Sequence, residues 1–574
     1  MDGHLLSNTR VDAFAIDAGS LAEPYRAACH ELERRRFSEG LWNRSLEIWP
    51  AGADVRERIS NRLGWLSALD FIEPQVPRLE ALGTSVRDGG FTDVVLLGMG
   101  GSSLAPEVLH QVLGVAAGFP RFRMLDSVDP DAVRSAMEQA PTSLFVLASK
   151  SGSTIEPNVM AAEAERRLAA AGHPHPGPRF ITITDERSPL HRRGLEEPFR
   201  DVFVNPSDVG GRYSALTYFG MVPAALMGTN LERIVVHARA MEAACREASV
   251  SANPGLALGA LMAAGAQQGR DKLTLLVPPR LRSFGMWVEQ LVAESSGKHG
   301  KGIIPITGET PDVRFGDDRI AVILNAGSER VDAAALEEVR RTGLPAATLD
   351  MSETVAIGAE FLRWEVATAT AGALMGINPF DEPNVQQAKD ATRALLDVYQ
   401  TQGRLPIPEP LASLAGVRLT ASGAARERLD GDNVQAFLNV LQPRDYFCLL
   451  AYLPPDDPRF ETPLRELRSA VGTRSGCATM LGYGPRYLHS TGQLHKGGPN
   501  SGVFLIVTAE PDSDLPVPGA PFTFGILELA QAIGDFQSLE RTGRRALYAH
   551  LPRRDPAALR SLAASLLDSM EARL

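Results

Sequence analysis

Residues 92–114 read TDVVLLGMGGSSLAPEVLHQVLG. Val94–Leu97 is a short apolar run, as expected of a strand buried on both faces. Gly98, Gly100 and Gly101 interrupt it, and a helix follows from Ser103. The pattern repeats downstream: RFRMLD, SLFVLAS and RFITITD read as short strands, with helices such as PNVMAAEAERRLAAAG between them. Strands alternating with helices imply a parallel sheet covered on both faces.

A second unit of this kind starts near residue 253 with the helix PGLALGALMAAGAQQGR. The strands KLTLLV, RIAVILN and AATLD follow, and then a long helix from Glu353. The proline-containing bridge RLPIPEPLASLAG, near 404–416, marks a boundary. Beyond it DYFCLLAYL, CATMLGY and VFLIVT read as strands and FTFGILELAQAIGDF as a helix. Upstream, SLAEPYRAACHELERRRFSEGLW predicts a helix, with Ser20 and Glu23 placed for a capping box. The chain therefore divides into a helical N-terminal segment (1–88), two α/β units with doubly wound, mainly parallel sheets in three layers (89–250 and 251–403), and an additional C-terminal α/β unit (404–574).

A net charge of −11 argues against a broad nucleic-acid or anionic-membrane surface but leaves room for a small phosphorylated ligand. Four scattered cysteines without a C-x-x-C pair fit a reducing compartment and give no zinc signature. The N-terminus lacks the basic-then-apolar pattern of a leader, and no apolar run is long enough to span a bilayer. A cytoplasmic location is expected. Only six lysines stand among 58 basic residues. An ammonium is a compact charge with a tunable pKa that a guanidinium cannot imitate. Lys272 and Lys301 read as chance survivors, whereas Lys150, Lys298, Lys389 and Lys496 each sit in a motif.

LLGMGGSSLAP (96–106) ends a strand in glycines and serines and starts a helix, a geometry whose free N–H groups hold anions. A tight turn without a ligand has the same sequence. SKSGSTIEP (149–157) follows another strand; its hydroxyls, Lys150 and the helix start suit a phosphate monoester, or a serine-rich N-cap turn. Both loops lie at strand ends of one sheet, where open α/β folds bind ligands. DVGGRYSALT (208–217) places Arg212 after two glycines, as an oxyanion stabiliser or as a surface arginine. WVEQLVAESSGKHGKG (287–302) puts Glu294 near the end of a helix facing glycines, as a general base or a solvated C-cap residue. NPFDEPNVQQAK (378–389) is a turn followed by a helix carrying Lys389.

Taken together, SKSGST, GGRYS, ESSGK and FDEPNVQQAK resemble the glucose-6-phosphate isomerase family, built from two sugar-isomerase (SIS) domains. With LHSTGQLHKGGPNSGVFL, the chain is most similar to the isomerase portion of bifunctional transaldolase/glucose-6-phosphate isomerases. The resemblance implies phosphate binding by Ser102, Ser149, Lys150, Ser151 and Thr154, with Gly101, Glu156, Gly211, Glu382 and Gln493 as further substrate-site positions. It implies Arg212 beside the reacting carbons, Glu294 as base and Lys389 near the ring oxygen. The family usually has Gln where this chain has Glu382. The implied reaction is aldose–ketose isomerisation of a hexose 6-phosphate through an enediol(ate), without metal or nicotinamide cofactor. Preference between glucose and mannose 6-phosphate stays open.

The family's ring-opening histidine lies in a pattern like LHSxGQ between the glutamate and lysine motifs. Here that interval holds only His299, in GKHGKG, and the matching pattern, YLHSTGQLHKGG (487–498), comes after Lys389. His489 is thus the candidate, with His299 second. In the usual dimer the partner supplies this histidine; here the C-terminal unit is expected to supply it in cis, giving an active monomer, with a homodimer as the alternative. His495, Lys496 and Arg486 either face the substrate or lie in a solvated loop. Other readings are a non-catalytic phosphosugar-binding SIS protein, which would not need Glu294, Arg212, Lys389 and His489, and a transaldolase, which would need a Schiff-base lysine on a barrel strand.

Overall fold

The computed structural model describes residues 13–310, 313–431 and 433–570. Residues 1–12, which carry the leader reading, lie outside them. The N-terminal segment is largely helical, with three differences from expectation. It contains a strand, β1 (Phe14–Asp17), that joins the second sheet. The single helix expected through Trp42 is two, Ala22–Arg34 and Phe37–Trp42, because Arg36 takes a left-handed conformation (φ 49°) between them. The Ser20–Glu23 capping box does not form. Gly19–Leu21 is a 3-10 turn, the helix begins at Ala22, and no side chain caps it.

The first sheet holds β2 (Asp93–Leu97), β3 (Arg121–Leu125), β4 (Ser143–Ala148), β5 (Phe180–Asp185) and β6 (Asp201–Asn205), all parallel, in the order β3-β2-β4-β5-β6. This is a doubly wound order whose direction reverses between β2 and β4. The loops after β2 and β4 therefore open into one crevice. The second sheet holds β7 (Lys272–Leu276), β8 (Ile304–Thr307), β9 (Arg319–Ala326) and β10 (Ala346–Met351) in parallel, ordered β8-β7-β9-β10, with β1 antiparallel at the β10 edge.

The third sheet holds β11 (Ala412–Leu414), β12 (Val417–Ala421), β13 (Tyr446–Tyr452), β14 (Ala478–Tyr483), β15 (Gly502–Ala509) and β16 (Arg545–Leu551). Four of its strands are parallel in the order β14-β13-β15-β16; β12 and β11 extend the β16 edge antiparallel. The architecture is thus two SIS-type sheets, a largely helical N-terminus and a C-terminal α/β unit.

Strand alternation shows how the units join. In β2, Val94 and Leu96 enter the core shared with the N-terminal helices and the second sheet, while Val95 and Leu97 point the other way. The latter meet a core to which β13 contributes Tyr446, Cys448, Leu450 and Tyr452. The intervening β13 residues Phe447, Leu449 and Ala451 enter a third core under the outer helices of the C-terminal unit. The C-terminal unit therefore shares a hydrophobic core with the first sheet. Charged clamps reinforce the junction: Arg554 pairs with Asp129 and Asp131, and Arg134 donates to the Ser513 and Asp514 carbonyls. Lys272, read as a chance survivor, is buried, paired with Asp271 and Asp318 and bonded to the Arg444 carbonyl, so it ties the second sheet to the chain entering β13.

Candidate active site

Three glycine turns meet above the first sheet. Gly101, after β2, lies backbone-on-backbone against Gly211: a Cβ built on Gly101 would stand 2.1 Å from the Gly211 oxygen. Gly100 has φ +56°, and a Cβ there would stand 2.7 Å from the His489 carbonyl oxygen. Glycine is required at both positions because any side chain would separate these turns. The GMGG loop, the GGRYS turn and the LHSTGQ segment are thereby held in contact.

After β4, Gly152 (φ +65°) donates its N–H to Ser149 Oγ, and Ser151 Oγ lies 3.4 Å from Thr154 Oγ1. Thr154 occupies the N-cap of the Ile155–Ala170 helix without capping it through its side chain, so the first-turn amides are not consumed by the cap. Ser102 and Ser149 are buried in the crevice, and Ser151 is exposed. Lys150 is not a free ammonium above this loop. It pairs with Asp185 at the end of β5 and donates to the Ser207 carbonyl at 3.1 Å.

Arg212 is buried at the centre. Its Nε donates to Ser295 Oγ (2.8 Å), and its Nη2 to the carbonyls of Pro379 (2.9 Å) and Asp381 (3.1 Å). Its Nη1 bonds Glu382 Oε2 at 2.9 Å and lies 3.5 Å from Glu294 Oε2. Burial works against the guanidinium charge, but Glu294 and Glu382 hold its pKa above the ordinary value. Glu294 lies in the last turn of the Arg282–Ser296 helix and is 7% exposed, which excludes the solvated C-cap reading. Burial pushes its pKa up to about 7; Arg212, His489 and Lys298 oppose that rise and Glu382 adds to it.

His489 meets Glu156 Oε1 through Nε2 at 2.9 Å. Burial would raise the Glu156 carboxyl, but the imidazole beside it brings the pKa below the ordinary value. Gln290 links the histidine to the base: its Nε2 donates to the His489 carbonyl (2.7 Å) and lies 3.3 Å from Glu294 Oε2. Glu294, Arg212, Glu382, Glu156 and His489 therefore form one cluster.

Other expected residues fall elsewhere. Gln493 does not face the crevice. It is fully buried, with Nε2 on the Gly297 carbonyl and Asn384 Oδ1 and with Oε1 accepting the Asn384 N–H, a staple between the ends of the glutamate and lysine motifs. Lys389 is exposed in the Val385–Gln402 helix. The ammonium whose charge acts on Glu294 is that of Lys298, buried and bonded to the Asn378 carbonyl and Asp381 Oδ1. Burial and Arg212 lower its pKa to about 8. His299 is exposed, with φ 55°. His495 and Lys496 are not in a solvated loop. His495 is buried beside Cys448, and Lys496 pairs with Asp535. Arg486 pairs with Asp126 at 2.6 Å.

Gln290, Lys298 and Gln531, which donates to Glu156 Oε1 at 2.7 Å, were not singled out from the sequence as site residues. Gln290 was within reach of that reading, because it lies four residues before Glu294 and so on the same helical face.

The fold and this cluster define a class: a protein of two doubly wound α/β sheets in which buried carboxylates, a guanidinium and an imidazole meet above the switch point of the first sheet. Residues 78–319 match the family model described as phosphoglucose isomerase. The glucose-6-phosphate isomerase of Synechococcus sp. (strain CC9605) is 27% identical, over 68% of this chain and 78% of its own length. That of Geobacter sp. (strain M21) is also 27% identical, over 72% and 84%. Among solved structures, a glucose-6-phosphate isomerase from Chlamydia trachomatis shares the fold with a TM-score of 0.55 at 17% identity, over 70% of this chain and 90% of that one. A hypothetical protein from Thermus thermophilus also gives a TM-score of 0.55, at 22% identity, over 67% and 99%. Among the described residues, no helix is long and apolar enough to cross a membrane.

Proposed function

We propose that this chain is a glucose-6-phosphate isomerase, an intramolecular oxidoreductase that interconverts glucose 6-phosphate and fructose 6-phosphate. The observation that carries the reading is Glu294: a buried carboxylate with its pKa near 7, set between the Arg212 guanidinium and the His489 loop, beside two anion-suited turns. A base working near neutrality needs a pKa of this order.

In this reading Ser102, Ser149, Ser151, Thr154 and the first-turn amides of the Ile155–Ala170 helix hold the phosphate. Lys150 acts through Asp185, shaping the loop. His489, oriented by Glu156, exchanges the proton that opens the hexose ring. Glu294 takes the proton from C2, an enediol(ate) forms, and the same carboxyl returns the proton to C1. Arg212 Nη1, the guanidinium edge turned toward the carboxylates, stabilises the negative charge on the enediolate oxygens. Lys389, to which the resemblance gives a share in ring opening, is exposed, and its part rests on its motif alone.

The position of LHSTGQ behind FDEPNVQQAK further supports likeness to the isomerase portion of bifunctional transaldolase/glucose-6-phosphate isomerases, and a cytoplasmic location goes with that reading. Because His489 meets Glu156 of its own chain, we read the active unit as a monomer.

The test is a dehydrogenase-coupled assay with fructose 6-phosphate on the wild-type chain and Glu294→Gln. Wild-type turnover and a loss of about 10²–10⁴-fold in the variant are expected from removing a general base. Binding of the sugar phosphate without turnover by the wild-type chain would mean a non-catalytic phosphosugar-binding protein instead.

A further inference from the structure

The His489 loop is held by one face of a helix in the C-terminal unit. Phe524–Arg541 carries Gln531 and Asp535 one turn apart. Gln531 Nε2 donates to Glu156 Oε1, the same oxygen that meets His489 Nε2. Asp535 takes both ends of the loop. The Tyr487 hydroxyl donates to Oδ2 at 2.6 Å, and Lys496 Nζ lies 2.5 Å from Oδ1. Tyr487 precedes His489 by two residues and Lys496 follows it by seven, so the segment between them is pinned at both sides. Gln531, Asp535, Tyr487, Lys496 and Glu156 are all at most 4% exposed, whereas the His489 side chain is 15% exposed toward the crevice.

This arrangement has a physical purpose. His489 is followed by Ser490, Thr491 and Gly492, whose small side chains add little packing of their own, so beyond the Gln290 bond to its carbonyl its place depends on what holds the segment on either side. A proton-transfer group displaced by about 1 Å loses on the order of 10²-fold in rate. A buried Lys–Asp pair offers little net stability over an apolar pair, because desolvation cancels most of the attraction. What it does supply is a defined geometry.

We propose that Gln531 and Asp535 are positioning residues for ring opening: this helix of the C-terminal unit sets the place of His489 through Tyr487 and Lys496, and its orientation through Glu156. The inference rests on the isomerase reading above.

Ring opening and carbon-bound proton transfer can be read separately. Opening and reclosure interconvert the α and β anomers of glucose 6-phosphate, which NMR magnetisation exchange follows. Transfer at C2 is followed by deuterium uptake from D2O. In Glu294→Gln, deuterium uptake is lost and catalysed anomerisation falls far less, so the two readouts separate. In Gln531→Leu, catalysed anomerisation falls by about tenfold or more, and deuterium uptake falls with it, because the open chain is no longer supplied. Asp535→Asn gives the same pattern. If it does not fold, as judged by its thermal transition, Gln531→Leu carries the test alone, since it removes no charge pair.

A folded Gln531→Leu enzyme that anomerises at the wild-type rate overturns the inference. So does one that loses deuterium uptake while anomerisation is intact. If the wild-type chain neither anomerises nor isomerises glucose 6-phosphate, the isomerase reading itself falls, and the inference falls with it.

Discussion

Arg212 spends its donors in three directions, and only the Nη1 edge faces the two carboxylates, Glu382 at 2.9 Å and Glu294 at 3.5 Å. Replacing Arg212 by Ala should lower kcat by about 10²–10³-fold, the usual cost of removing a preorganised charge stabiliser. The pH profile offers a finer test. Glu294 is held near 7 by burial; Arg212, His489 and Lys298 favour its ionised form, and Glu382 disfavours it. The base must be ionised to act, so kcat/KM should rise with pH through an acid limb near pH 7. Glu382→Gln removes the like charge, lowers the Glu294 pKa and shifts that limb to lower pH. An unmoved limb would show that Glu294 is not the group titrating. At this scale the sequence was informative for some local motifs and not for others. Glu294, Arg212, Glu156 and His489 each stand in a short distinctive segment, and the structure brings them together. Gln531 was invisible because it meets Glu156 across 375 residues of chain. Gln493 was misread because its motif does not say which side of the loop its amide faces.

Turns and strands follow different rules. The contact between Gly101 and Gly211 is backbone against backbone, with no flexible side chain to yield. Gly101→Ala should therefore force the GMGG and GGRYS turns apart. A destabilisation of about 1–3 kcal/mol in denaturant unfolding is expected, as for other overpacked positions. The fall in kcat/KM should be larger than that stability loss alone accounts for, because Ser102 and Arg212 lie next to the two glycines. Wild-type kinetics in a folded Gly101→Ala enzyme would show that the turns need not touch. The same scale explains which elements were legible. Doubly buried strands such as β2, β4 and β15 are continuous apolar runs and stand out. β8 carries Pro305, β16 mixes Arg545 and His550 into its run, β11 is a three-residue edge strand and β12 beside it alternates in exposure, so none of them announces itself. The capping box failed because a 3-10 turn displaced the helix start beyond Ser20.

For the whole molecule, the decisive fact is that the C-terminal unit shares a core with the first sheet. Val95, Leu97, Phe145 and Leu147 of one sheet and Tyr446, Leu450, Phe504 and Ile506 of the other lie in a single cluster. Its four parallel strands, β14-β13-β15-β16, follow the same order as β8-β7-β9-β10 of the second sheet, so a third layer of SIS-like topology closes over the site. The sequence suggested the unit and its histidine, but not the shared core, because the residues of a common core lie far apart in the chain. The consequence is an expectation about assembly. A histidine held by Glu156, Gln531 and the Asp535 anchors of its own chain cannot reach a neighbour's Glu294 without breaking all of them. His489→Ala and Glu294→Gln chains mixed after joint unfolding and refolding should therefore recover no activity, whereas a site shared between the subunits of a dimer would recover about a quarter of it, because random pairing makes half the dimers mixed and each of those holds one intact site of two. Sedimentation velocity on the active wild-type chain should give a species of 61.8 kDa across the assay concentrations. Complementation in the mixture, or activity that disappears on dilution along with a larger species, would place the catalytic histidine across an interface and refute the in-cis assignment.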